Sequence, residues 1–420
     1  MGKHAQSALP GLLALALVFG VTPAQGAAGS LDTTFGKGGI VETNFASDVN
    51  VSPLAAALQT NGDILVLAQF GNGAAAVVRY TPTGAVDTTF GTKGVAELPT
   101  PFDGPTASMA LQSNGKIVVA GVVGQMTGDA AFAVARFNTN GTADTTFGSG
   151  GEVSTALGFP GVGESVLIEP DGAILVGAQL EPAGRGLPFE TALIRYDANG
   201  TLDSTFGDKG TVSVTSIGGC TALGLLSDGE IMVLNGSAIA QFTSTGTLEA
   251  TVTGGPIAIS TPSQVPSLIN VFQPNGEYIY AQTVAIGAGR NGNDAVQVLR
   301  YTATGSVDST FVSPTFHFVG TGGTANRDSP SGVALQANGE IVVVGTHSVE
   351  FANVVNGLAR LETSGSFDAT FGTDGIVINS LPTATDGLSG VLIQPADGKI
   401  VTIGVANNYT ELTLGRYLPN

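Results

Sequence analysis

Tryptophan is absent from the 420 residues, cysteine occurs once and histidine three times. Charge is also scarce: 11% of residues are charged, with 15 Lys and Arg against 33 Asp and Glu, a formal net charge of −18. Each shortage excludes something. Cys220 has no intrachain partner for a disulfide, and among Gly218, Gly219, Thr221 and Ala222 it reads as a small buried side chain. Such acidity opposes binding to nucleic acid and to anionic membrane surfaces. Without tryptophan the commonest sugar-stacking platform is missing, although Tyr or Phe can serve. Beyond residue 26 the histidines are His317 and His347, and no Gly-x-Ser-x-Gly elbow, His-x-x-x-His pair or Cys/His cluster occurs. Lone histidines in such a setting read as structural.

Long apolar runs are missing too. The stretch Leu12–Val21 is too short to span a bilayer. It follows Lys3 and His4 and precedes Ala24-Gln25-Gly26, so residues 1–26 read as a secretory signal and the mature chain as starting near Ala27. No cysteine adjoins that site, so a lipid anchor is not expected. The expected location is extracellular, periplasmic or cell-surface.

What the chain has is repetition. The stretch Leu31–Val41 reads LDTTFGKGGIV and returns as VDTTFGTKGVA from Val86, ADTTFGSGGEV from Ala143, LDSTFGDKGTV from Leu202, VDSTF from Val307 and FDATFGTDGIV from Phe367. A worn copy, LEATVTGG, begins at Leu248. The acidic positions Asp32, Asp87, Asp144, Asp203, Glu249, Asp308 and Asp368 are 55, 57, 59, 46, 59 and 60 residues apart, a spacing that indicates repeat architecture. Each period also holds an Asn/Asp-Gly pair (Asn61-Gly62, Asn114-Gly115, Asp171-Gly172, Asp228-Gly229, Asn275-Gly276, Asn338-Gly339, Asp397-Gly398) between apolar runs, the mark of a hairpin. A third strand ends in Arg-Tyr or Arg-Phe, a turn Gly follows five residues after the Arg, and the LDTTF stretch is expected to supply the fourth strand.

Four strands per period predict an all-β chain: a seven-bladed β-propeller of four-stranded antiparallel blades over residues 27–420. The last third strand ends at Arg416-Tyr417, just where its turn should begin, and the first fourth strand appears at Gly29-Ser30-Leu31-Asp32. The N-terminal strand should therefore pair into the last blade and close the ring, removing exposed sheet edges.

An offset of eight links Arg79 to Asp87, Arg136 to Asp144, Arg195 to Asp203, Arg300 to Asp308 and Arg360 to Asp368; Arg416 would meet Asp32 across the closure. In the fourth repeat both change, to Gln241 and Glu249, which points to a cross-strand pair. Calcium is a weaker reading, because the acids come one per blade and each has its own Arg. No metal or cofactor is expected. The Phe after each acid (Phe35, Phe90, Phe147, Phe206, Phe311, Phe371) is expected to pack between blades.

The LDxTFGxxG motif with its following Asn/Asp-Gly-x-Ile-Val strand resembles the delta sixty repeat family, common in secreted bacterial proteins, over residues 29–420. That resemblance implies an exported propeller and supplies no catalytic residues; the fourth repeat departs from it at Glu249 and Val252.

In a propeller the regular turns share one face and the connections between second and third, and fourth and first, strands share the other. Those connections vary, and they hold Arg185, Glu190, Arg290, Asp294 and Arg327, the candidate ligand-binding residues, together with Asp129 and Asp328. The expected function is a non-catalytic scaffold recognising a protein or surface polymer through this face, with a monomer sufficient. The alternative is an extracellular enzyme acting on a glycan or small molecule at the channel mouth.

Overall fold

The computed structural model describes residues 26–45, 50–71, 73–102, 107–124, 130–156, 158, 161–181, 189–235, 238–253, 270–273, 275–286, 294–319, 326–349, 352–379 and 385–420. Among them every regular element is a strand, and no helix is long and apolar enough to cross a membrane. The residues 1–25 of the expected signal, and Arg185, Arg290 and Asp129, lie outside the described residues.

The strands form antiparallel four-stranded units in chain order. The first comprises Val51–Leu58, Ile64–Phe70, Ala75–Tyr80 and Val95–Glu97; the second, Ala107–Leu111, Ile117–Val123, Ala131–Phe137 and Glu152–Thr155. The third runs from Gly161–Ile168 to Thr211–Val214 and the fourth from Ala222–Leu225 to Leu248–Thr253. Two further units, Asn270–Phe272 to Thr315–Phe316 and Asn326–Leu335 to Ile376–Asn379, are joined into one eight-stranded sheet. The join is a single parallel bridge, Asp294 to Arg327. In the last unit Thr385–Ile393, Ile400–Ala406 and Glu411–Tyr417 are followed by the N-terminal strand Ile40–Asn44, paired from Ile40 with Gly415 to Asn44 with Glu411.

First strands of successive units lie against one another: Val51–Leu58 on Ala107–Leu111, that strand on Gly161–Ile168, and Gly161–Ile168 on Ala222–Leu225; Asn270–Phe272 lies on Asn326–Leu335, that strand on Thr385–Ile393, and Thr385–Ile393 on Val51–Leu58. They are therefore innermost. Buried apolar side chains form clusters that are each shared by two neighbouring units rather than one common core. In Ile64–Phe70, Leu65 and Leu67 face the second unit, while Ile64, Val66 and Ala68 join Val401, Ile403 and Leu414 of the last. A second strand buried on both faces needs a continuous apolar run, which is what ILVLA supplies.

The hairpin turns work differently from simple positive-φ dipeptides. Only the Gly is left-handed (Gly62 φ 88°, Gly172 φ 90°). The preceding Asn or Asp acts through its side chain: Asn61 Oδ1 accepts from the Asp63 N–H at 3.1 Å and Asp171 Oδ1 from the Ala173 N–H at 2.9 Å.

One expectation is corrected. The LDTTF stretch is a turn, not the fourth strand. Only its first residue touches the ladder, as in the bridges Leu31–Tyr417 and Val86–Tyr80. The reason is local: Asp87 Oδ1 captures the Thr89 N–H and hydroxyl at 3.0 and 2.6 Å, so the chain bends and strand pairing resumes only at Val95. The strand that joins the last unit is accordingly Ile40–Asn44 rather than one starting near Leu31.

Candidate functional site

The molecule has two ends built on different principles. At one end lie the regular turns, and the arginine of each third strand organises them. Arg136 is buried; its Nε donates to Asp144 Oδ2 at 2.7 Å, its Nη1 to the carbonyl of Ala198 in the next unit's turn, and its guanidinium lies 4.4 Å from the centroid of the Phe147 ring. The same set recurs for Arg79 (Asp87, Thr139 carbonyl, Phe90), Arg195 (Asp203, Ser244 carbonyl, Phe206), Arg300 (Asp308, Thr363 carbonyl, Phe311) and Arg360 (Asp368, Pro419 carbonyl, Phe371). Arg416 sits 2.8 Å from Asp32, donates to the Pro82 carbonyl at 2.5 Å and covers Phe35 at 4.6 Å, joining the last unit to the first.

Each Phe fills the gap to the next unit. A Cβ on Gly200, which has φ 91°, would stand 2.7 Å from Phe147 Cε2, so a turn glycine is needed there on steric as well as conformational grounds. Burying such a ring contributes about 1.5–3 kcal/mol. Glutamines two residues before the hairpin Asn add to the set: Gln112 Oε1 accepts from Arg136 at 3.4 Å while its Nε2 donates to the Gly172 carbonyl at 3.2 Å, and Gln336 does the same with Arg360 and Gly398. Sequence reasoning missed these glutamines, although the recurring Leu-Gln-x-Asn-Gly at residues 58–62 and 111–115 displays them. The fourth unit departs. Gln241 donates to Glu230 of its own unit, Glu249 is exposed, and a stacked Tyr278–Tyr301 pair with ring centroids 4.8 Å apart packs in the cluster between the fourth and fifth units.

The opposite end carries the variable connections. Glu190 and Asp294 are not loop residues: they begin the strands Glu190–Tyr196 and Asp294–Tyr301. Glu190 accepts from the Ser213 hydroxyl at 2.5 Å. Arg327 also lies in a strand, Asn326–Leu335, and its backbone is bridged to Asp294, so these two candidates are brought together while Glu190 stands apart in the third unit. In the connection between the fifth and sixth units, Thr315–Phe316 and Asn326–Leu335 are strands.

Beside Arg327 the structure assembles a cluster that sequence spacing did not reveal. Asp328 is 1% exposed; its Oδ2 lies 2.6 Å from His317 Nδ1, and its Oδ1 lies 3.0 Å from His347 Nδ1 and accepts the Phe318 N–H at 3.2 Å. The Thr283 hydroxyl donates to the Asp328 carbonyl at 3.3 Å. One carboxylate thus ties together both histidines expected to act singly, from two neighbouring units. Nothing in the sequence marks the pairing, since the three residues come from separate strands and connections. Both imidazoles spend Nδ1 on a dry carboxylate, and among the described residues no group of three metal-ligating side chains converges. The cluster is a staple.

Exposed apolar side chains occur at both ends, with Leu202, Val307 and Val312 among the regular turns. Phe189, Ile286, Val354 and Tyr409 are 44%, 42%, 38% and 50% exposed, and each lies where a second strand passes to a third. Tyr409 sits on a turn in which Asn407, Asn408 and Tyr409 are all left-handed, with φ of 56°, 56° and 62°. Such a conformation costs a non-Gly residue roughly 1–2 kcal/mol. The Thr410 hydroxyl to Asn407 carbonyl bond at 2.7 Å and the Val51 N–H to Tyr409 carbonyl bond at 2.6 Å hold it.

Two predictions follow from these contacts. Burial alone would raise the Asp32 carboxyl, but the Thr34 hydroxyl and N–H, the Lys399 ammonium and Arg416 outweigh it and hold it at about 2. The Thr205 hydroxyl and N–H with Arg195 hold Asp203 at about 2; the Thr310 hydroxyl and N–H with Arg300 do the same for Asp308. Carboxyls lowered on folding stabilise the native state above their ordinary value of 3.8, and that contribution is lost as pH falls through the folded values. Urea unfolding should therefore show stability dropping between about pH 4 and about pH 2, with a shallower drop in Asp32→Asn. Separately, Asp328→Ala leaves two buried imidazoles without their acceptor and should lower unfolding free energy by about 3–5 kcal/mol, whereas changing the exposed Glu249→Gln should be neutral in the same assay.

Comparison with known proteins places the architecture. Residues 59–90, 112–147, 169–206, 273–311 and 336–371 match the model of a domain of unknown function (DUF5122) beta-propeller. No curated protein matches. Among solved structures, the WD40 domain of Toxoplasma gondii coronin is similar with a TM-score of 0.50 at 9% identity, covering 94% of this chain and 89% of that one. The Neurospora crassa Pan2 WD40 domain (TM-score 0.48, 10% identity, 90% and 98% covered) and a protein of unknown function from Bacteroides caccae (TM-score 0.40, 12% identity, 79% and 100% covered) are more distant. With the repeated antiparallel units and the matched segments together, this is a β-propeller repeat chain.

Proposed function

We propose that the chain is an exported, closed seven-bladed propeller whose variable end recognises a macromolecule without catalysis. Closure is supported by the register of Ile40–Asn44 on Glu411–Tyr417 and by Arg416, which repeats across that seam the contacts other arginines make inside the ring. The eight-stranded sheet counts as two blades in this reading, because one bridge joins its halves. Export rests on the signal-like residues 1–26, and kinship with delta sixty repeat proteins rests on the motif.

The observation that carries the functional reading is the contrast between the ends. At one end the Arg, Asp and Phe of each regular turn engage one another and the neighbouring turn, whereas the connections of the other end differ from unit to unit and present exposed Phe189, Ile286, Val354 and Tyr409; Leu202, Val307 and Val312 are exposed at the turn end. An enzyme reading is less favoured, because the side chains of His317 and His347 are only 7% and 4% exposed.

Two experiments test this. Photo-crosslinkers placed at Glu181 and Ile286 on the variable end, and at Asp208 and Thr245 on the turn end, should give partner adducts only from the first pair in the exported fraction of producing cells. Adducts from the turn end alone would overturn the assignment. Deletion of residues 27–44 should lower the melting temperature sharply; melting equal to that of the intact chain would sink the closure.

A further inference from the structure

The seams between units are not equally fastened. Around most of the molecule an arginine crosses each of them: Arg79 to the Thr139 carbonyl, Arg136 to Ala198, Arg195 to Ser244, Arg300 to Thr363, Arg360 to Pro419 and Arg416 to Pro82. The seam between the fourth and fifth units is the exception. Gln241 stands in the arginine's position and donates to Glu230 of its own unit. Among the described residues no side-chain bond reaches the carbonyl of Ala303, which precedes Gly305 as Ala198 precedes Gly200. Val252 stands where the other repeats have Phe. With Glu249 in place of Asp the chain does not turn as it does at Asp87: Leu248–Thr253 runs on as a strand paired with Ala238–Phe242. Backbone bonds between neighbouring turns, such as Gly91 N–H to the Asn140 carbonyl at 2.8 Å and Gly207 N–H to the Thr245 carbonyl at 2.9 Å, therefore have no counterpart from this strand among the described residues.

A second set of bonds fails at the same place. The Tyr80 hydroxyl bonds Thr43 of the preceding unit at 3.0 Å, and that of Tyr196 bonds Thr155 at 2.6 Å. The hydroxyls of Tyr301 and of Tyr278, stacked on it, are buried with no hydrogen-bond partner, a desolvation cost that water would relieve if the seam parted. The described innermost strands on either side, Ala222–Leu225 and Asn270–Phe272, are four and three residues long. What closes the seam is apolar contact among Met232, Leu234, Ile239, Leu299 and the two tyrosines, which is non-directional.

We infer that the molecule has one built-in weak joint, the seam between the fourth and fifth units, which opens reversibly while the other seams stay shut. Each unit keeps its own strand ladders in the opened form, so opening loses only the contacts across the joint. The inference rests on the closed-ring reading, in which the seam between the last unit and the first is fastened like the others.

Buried tyrosines report on the seams separately. Tyr278 and Tyr301 lie between the fourth and fifth units, Tyr196 between the second and third, Tyr417 between the sixth and last, and Tyr80 between the last and first. All five are at most 1% exposed, so a reagent reaches them only through opening. When the mature protein is held with a tyrosine-nitrating reagent without denaturant and read by peptide mass spectrometry, Tyr278 and Tyr301 should react roughly tenfold or more faster than the other three. Arg136→Gln, which removes the bond from the second unit to the third, should speed Tyr196 by about the same factor and leave Tyr417 slow. Gln241→Arg, Glu249→Asp and Val252→Phe together should slow Tyr301 toward the rate of Tyr196; if that variant does not fold, the comparison within the parent protein decides. Equal rates at all five tyrosines, a Tyr196 rate unmoved by Arg136→Gln, or a folded triple variant with Tyr301 still fast would overturn the inference. Fastest reaction at Tyr80 would place the opening between the chain's ends and remove the closed-ring reading with it.

Discussion

A guanidinium that faces three ways holds this architecture together. Each of these arginines is fixed by an aspartate across its own turn, lies on a phenylalanine, and donates through Nη1 to a backbone carbonyl of the next unit. Planarity makes this possible, because the edge donors and the π-face act at the same time. A lysine could supply charge but neither the fork nor the stacking surface. The carboxylate has matching duties: one oxygen takes the arginine and the other holds the turn through Thr N–H and hydroxyl groups. The contact that shapes each turn is thus also the contact that sets the angle to the next unit.

This double use explains how much the sequence disclosed. The eight-residue Arg–Asp offset, the Phe three residues after the acid and the turn Gly recur because geometry requires all of them together. Repetition of one physical solution is legible without coordinates. The correction at LDTTF has the same origin. Its apolar and β-branched residues resemble a strand, but Asp87 takes the Thr89 N–H that a strand would need, and local capture defeats β propensity. What repetition does not require stayed hidden. His317, Asp328 and His347 meet once, between two units, and no periodicity marks them. Glu190, Asp294 and Arg327 lie at the variable end in strands rather than loops, because strand ends there run farther than the regular period suggests.

The two ends also divide the energetics. At the turn end, charged groups are consumed by neighbours, and carboxyls held near pH 2 are the electrostatic trace of that consumption. At the variable end, Asp328 secures one seam from within. The fourth unit differs: Gln241 and Glu249 stand in place of Arg and Asp, and the stacked Tyr278–Tyr301 pair of the fifth unit packs in the apolar cluster shared with it.

The arginine bonds between units should act alike in internal seams and between the last unit and the first. Equilibrium unfolding of Arg136→Gln, in an internal seam, and Arg416→Gln, between the last unit and the first, measures this directly. Each loses a buried charged partner and a carbonyl bond, so similar destabilisation of about 3 kcal/mol or more is expected for both. A loss at Arg136 with none at Arg416 would contradict the account, because the seam between the chain's ends would then not be held as the others are.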